Sequence, residues 1–129
     1  MKDEELISAI QDTSGIRDAE HVKDAARATL SVLGQRVAGE ETRHLAAQLP
    51  PTFAEMLPTE GGAESFDIEE FYRRVAEMES RGCSNQDARR HARAVMAAVK
   101  AAVTPGEFDD LMSQLPSDFA ELVGTGPVH

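Results

Sequence analysis

Apolar residues return along this chain every three or four positions. Between residues 19 and 37, Val22, Ala26, Leu30, Leu33 and Val37 fall on one stripe of a 3.6-residue period. Ala88, Ala92, Val95, Met96, Val99 and Val103 form a second stripe further on. Alanine is used heavily in both, which favours helix. No stretch alternates with period two over the length of a strand. The pattern predicts an all-α fold.

Start and stop signals divide the pattern into short helices. Asp67 with Glu70 fits a capping box, with Phe66 and Phe71 at the staple positions. Ser84 with Asp87 and Thr104 with Glu107 are further boxes, and Pro105 suits a first helical position. Asp3 and Asp18 are cap candidates in the first half, where Ala38-Gly39 replaces the Thr-Pro start. Gly15 and Gly82 punctuate the first helix of each half. Pro50 and Pro116 stop the third, because the residue before a proline is pushed away from helix.

The chain also repeats itself. Residues 42–57 read TRHLAAQLPPTFAEML and residues 108–123 read FDDLMSQLPSDFAELV, 66 positions apart. From Asp18/Ser84 to Leu57/Val123 that offset gives 12 identities in 40 pairs, among them Arg27/Arg93, Glu41/Glu107, Gln48/Gln114 and Phe53/Phe119. A one-residue slip brings Gly15-Ile16 onto Gly82-Cys83. The expected architecture is two tandem similar units of three to four short helices, packed about a pseudo-twofold axis into one globular domain over 1–129. Unit one runs over about 1–57, a linker over 58–66, unit two over about 67–123 and a frayed tail over 124–129. Units of ~60 residues are marginal alone, so one shared core is expected. Its members are Leu6, Ile10, Val22, Leu30, Leu33, Leu45, Leu49, Phe53, Phe71, Val75, Met96, Val99, Phe108, Leu111, Leu115 and Phe119.

These residues carry a resemblance. A helix begins after Gly15-Ile16 or Gly82-Cys83, an Ala-Arg-Ala run lies within it, and Leu-x-x-Gln-Leu-Pro follows with phenylalanine three residues on. That last motif is Leu45 to Phe53 and Leu111 to Phe119. The pattern resembles the bacterial domain-of-unknown-function 2267 family over nearly the whole chain. The first copy departs from it by one extra residue near Arg17. The resemblance implies an all-helical fold of two similar halves and no established activity, so it brings no catalytic residues with it.

Candidate chemistry is sparse. Glu41 and His44 have the Glu-x-x-His spacing that puts both on one helix face, as in bundle di-iron sites. The second copy has Glu107 and Asp110 there and no histidine, so the spacing reads as a solvated helix face and no metal site is assigned. Cys83 has no histidine near it in sequence and sits at a staple position. A helix N-terminus can depress a thiol pKa, but the position fits a half-buried structural thiol better. No nucleophile elbow, phosphate-binding or dinucleotide glycine pattern occurs. Neither catalytic residue nor cofactor is assigned.

Charge placement adds one site. Every Lys and Arg of the second copy lies between Arg73 and Lys100, and residues 101–129 hold five acids and no Lys or Arg. Arg89, Arg90 and Arg93 form a candidate ligand-binding cluster for an anion or acidic partner. The competing reading is a solvated face with local pairs Glu69–Arg73, Glu70–Arg74 and Glu77–Arg81. Arg27 and Arg93, which recur, read as structural, capping or pairing with Glu41 or Glu107 of their own units.

Composition narrows the classes. A formal charge of −10 argues against nucleic-acid binding. The single cysteine permits no internal disulfide, and the charged start lacks a signal-peptide stretch. No apolar run is long enough to span a bilayer. A cytoplasmic, non-enzymatic protein-interaction or regulatory module is expected, with self-association as one option. The alternative is a small-ligand or anion sensor using a groove near Arg89, Arg90 and Arg93. A metalloprotein or enzyme is the third.

Overall fold

The computed structural model describes residues 1–37, 39–58 and 60–123. Ala38, Thr59 and the expected frayed tail 124–129 lie outside the described residues. The elements run α1 (Asp3–Ser14), α2 (Ala19–Arg36), α3 (Gly39–Ala46), α4 (Pro51–Ala54), α5 (Ile68–Glu79), α6 (Asn85–Ala102), α7 (Pro105–Ser113) and a closing 3-10 helix, Ser117–Val123. No strand occurs among the described residues. The first two helices of each half are equally long, with 12 and then 18 residues.

The caps form where the sequence signals place them, but of the three expected boxes only that of Ser84 and Asp87 is reciprocal. Glu70 turns to Arg73 and Arg74, and the Thr104 amide donates to Gln48 Oε1 at 2.8 Å. The Asp67 carboxylate accepts from the Glu70 amide at 2.9 Å. Ser84 and Asp87 close a reciprocal box, at 3.0 and 3.2 Å. Thr104 Oγ1 accepts from the Glu107 amide at 3.2 Å and Asp18 from the Glu20 amide at 3.0 Å. Each meets an amide that the helix itself leaves without a partner. Asp3 differs from expectation. Lys2 occupies the cap position, and Asp3 is the first helical residue. Its carboxylate accepts instead from Thr52 Oγ1 at 2.7 Å, which ties α1 to α4. Gly15 and Gly82 take φ of 81° and 70°, the left-handed conformation that lets the chain leave α1 and approach α6 in a short turn.

Packing interleaves the halves. α1 lies more against α6 than against its neighbour α2, and α2 lies chiefly against α5. α2 and α6 also touch, presenting Ala25, Ala26 and Ala28 on one side and Ala88, Ala92, Ala94 and Ala98 on the other as buried small residues. Small side chains at such a crossing shorten the interaxial distance. One continuous cluster of buried side chains takes members from every helix. Phe71 meets Phe119 edge to face at 5.5 Å. Leu115 alone of the expected core is half-buried, packed against the cluster's edge.

The local ion pairs are partly rearranged. Glu70 pairs with Arg74 at 2.9 Å as expected. Arg73, however, turns to Glu70 and Glu77, leaving Glu69. Arg81 leaves Glu77 for Asp24 on α2, at 2.7 Å, because α5 has already ended and its turn faces the other half. No helix of the described residues is long and apolar enough to cross a membrane.

Candidate functional site at the junction of the halves

The last residue of α5 is Glu79, and its carboxylate is fully buried. The three residues that follow, Ser80, Arg81 and Gly82, all have positive φ, at 57°, 56° and 70°. Two non-glycine residues in that region store strain, which tends to collect at binding sites. The turn is closed by the Cys83 amide donating to Ser80 O at 2.9 Å. Glu79 and Cys83 are thereby held at the two ends of one tight turn.

Two imidazoles converge on Glu79. His91, buried on α6, places Nδ1 at 2.8 Å from Oε2 and 3.0 Å from Oε1. His21, at the start of α2, places Nε2 at 2.8 Å from the same Oε2. The rings stand edge to face, 5.5 Å between centroids. Arg90 Nη2 lies 3.3 Å from His91 Nε2. A guanidinium only donates, so Nε2 accepts, and the proton of His91 sits on Nδ1 and points at Glu79. The Cys83 side chain lines the same cavity, its thiol donating to Ser84 O at 3.5 Å.

The electrostatics follow from this geometry. Burial on its own would raise the Glu79 pKa, but the bonds from His91 and His21 outweigh it and hold the carboxyl below its ordinary value. The Cys83 thiol moves the other way. Burial first, then the negative charges of Glu79 and Asp87, push it up to about 12. The depression that a helix N-terminus gives is overridden, and the thiol stays protonated at neutral pH.

The cluster borders an open cavity of about 310 Å³. Its walls are the two turns that the repeat matches: Ser14 to Arg17 and His21 on one side, and Arg81, Cys83, Asp87 and Arg90 on the other. The expected cluster of Arg89, Arg90 and Arg93 is divided between two places. Arg90 lines this cavity and is held by Ser14 O and Asp87, both at 3.3 Å. Arg89 pairs with Glu121 at 3.6 Å, and Arg93 lies with it near the Tyr72 hydroxyl.

A second polar cluster joins α3 to α7. Glu41 and Glu107, the same position of the repeated unit, meet each other; the expected pairings with Arg27 and Arg93 do not form. Arg27 pairs with Asp24 instead, at 3.3 Å. Glu41 is buried, not solvated as its helix face suggested. Ligating atoms of Glu41, His44 and Glu107 lie within 4.8 Å of one another. Glu41 Oε1 accepts from Gln114 Nε2 at 3.1 Å, while Oε2 of each glutamate is buried without a donor. Burial, the approach of Glu107 and the charges of Glu107 and Asp110 push the Glu41 pKa up to about 7. When Glu41 carries its proton, that O–H is a donor facing Glu107.

Residue spacing gave no sign of the His21–Glu79–His91 cluster. His21 is 58 positions from Glu79, and Cys83, read as remote from any histidine, shares its cavity with two. The available signal was the matched pair of turns, Gly15-Ile16 and Gly82-Cys83, which face each other here.

An all-helical protein with polar clusters between its halves is the class these features define. Residues 3–122 match the family described as "Uncharacterized conserved protein (DUF2267)", and the chain belongs to that family. No curated protein matches it.

Proposed function

We propose that the chain is a non-enzymatic regulatory module that responds to a small ligand taken up in the cavity between the two matched turns. The observation that carries this reading is the junction itself. One solvent-open cavity is walled by both halves and floored by a buried carboxylate carrying two imidazoles. A ligand there touches the ends of α1 and α5 and the starts of α2 and α6, so its binding bears on how the halves pack. The protein-docking form of the reading has less support. Among the described residues only Met1 and Met78 are large hydrophobics left exposed, and a docking face ordinarily needs a contiguous apolar patch.

The test is a thermal-shift and amide-NMR panel on the full chain with phosphate, sulfate, small carboxylates and divalent cations, against chloride at equal ionic strength. Ligand at 100 times its dissociation constant adds about 2.7 kcal/mol. The reading expects at least one class to raise the melting temperature and shift the amides of Gly15, Ile16, Cys83 and His91. It fails if no class does both.

A further inference from the structure

We infer that the ligand of this cavity is a divalent transition-metal cation of the zinc class, held by His21 Nε2, the Glu79 carboxylate and His91 Nδ1, with Cys83 on the cavity wall as fourth donor once its thiol turns from Ser84 O. The inference rests on the reading of the cavity as a ligand site and names the ligand's chemistry.

The donor set selects the class. Two imidazoles, a carboxylate and a thiol suit zinc, cobalt or nickel, whereas calcium and magnesium take oxygen ligands. Atoms of His21, Glu79 and His91 lie within 4.8 Å of one another, a span that one ion bridges. They come from α2, α5 and α6, so the ion joins the halves. The exposures grade from Glu79 at 0% through His91 at 5% to His21 at 26%, which gives a closed floor and an entry side. The strained turn at Ser80–Gly82 holds Glu79 and Cys83 on the same cavity.

Charge and proton accounting are definite. Glu79 is already ionised and both imidazoles are neutral ligands. The ion displaces the protons now shared with Glu79, which move to the far nitrogens, His21 Nδ1 and His91 Nε2. If Cys83 binds as thiolate, one proton is released to solvent, and Glu79 and the thiolate together cancel the charge of the cation.

One consequence separates a cation from an anion. A proton on His91 Nε2 faces Arg90 Nη2 at 3.3 Å, donor against donor. Arg90 must then swing toward Asp87, which Nη1 already reaches at 3.3 Å. Arg90 therefore opposes the cation, while any anion in the same cavity depends on it.

The experiment takes the full chain, stripped with chelator and exchanged into clean buffer. Zinc and cobalt are titrated by calorimetry in two buffers of different ionisation enthalpy, with calcium and magnesium alongside. We expect one equivalent of zinc or cobalt and none of calcium or magnesium. His21→Ala, a half-exposed site that leaves the core intact, weakens binding by about 100-fold. Arg90→Ala strengthens it several-fold. Cys83→Ser retains binding but loses the release of one proton and the thiolate-to-cobalt charge-transfer absorption. Absence of zinc and cobalt binding in the wild type overturns the inference, as does binding that survives unchanged in both His21→Ala and Glu79→Gln. If phosphate or a carboxylate stabilises the wild type and that effect vanishes in Arg90→Ala, the ligand site stands and the metal is wrong. If nothing binds, both fall.

Discussion

The two polar clusters between the halves are built on opposite plans. At Glu79 one buried carboxylate faces two imidazoles, so acceptor meets donors. At Glu41 and Glu107 two carboxyls face each other, and each keeps a buried oxygen without a donor. The difference lies in which residues each junction brings together. Glu41 and Glu107 are identical residues 66 positions apart in the sequence, and where they meet, like faces like. His21 aligns with Asp87 and His91 with Ala25. Where the residues at that offset differ, the junction sets complementary chemistry.

Four predictions test this contrast, from the largest effect down. The matched apolar positions set the scale. Phe53→Ala and Phe119→Ala, both fully buried, each lose about 3–5 kcal/mol in urea unfolding. A loss below about 1 kcal/mol in either would mean the two sites are not packed alike.

Glu79→Ala costs about 3 kcal/mol in the same measurement, because two imidazoles lose their acceptor inside the protein. Glu107→Gln, by contrast, gains about 1 kcal/mol at pH 8, since it removes a like charge and offers Glu41 a donor. Two destabilised variants would erase the distinction between the clusters.

The pH dependence carries a defined sign. Glu41 binds its proton more tightly in the folded state, with its pKa raised from 4.5 to about 7. The folded chain then holds more protons than the unfolded one between these values. This contribution is fully present below about pH 4.5, falls as pH rises toward 7, and is gone above it. Urea midpoints for the wild type should therefore decline over that window, by on the order of 2 kcal/mol. His44, Asp110 and Gln114 border the pair, so the control is Glu107→Gln, in which the decline should flatten. An equal slope in that variant would place the titration elsewhere.

The smallest effects belong outside both clusters. Arg89→Ala and Arg93→Ala should each change stability by less than about 0.5 kcal/mol, because an exposed pair such as Arg89–Glu121 at 3.6 Å contributes little. A change of 1 kcal/mol or more, read by urea unfolding, would extend the junction chemistry along α6.

The sequence alone determined the helices and most of the core. Asp18, Asp67, Ser84 and Thr104 each cap within three residues of themselves, and a 3.6-residue stripe names its own buried face, so both are local facts. Of the expected core only Leu115 proved half-buried, while Leu49 at the matching turn before Pro50 is buried. The sites were decided by tertiary structure. Sequence spacing reports which side chains share one helix face, and says nothing of which faces meet. Glu41 and His44 do share a face, yet Glu107 from the other half sets the state of Glu41. His21 and Glu79 acquire their chemistry only because α1 lies on α6 and α2 on α5. That crossing brings the two matched turns to one cavity. It is settled by how wide apolar stripes and small alanines fit together over the whole core, a sum of many weak contacts that no single motif announces.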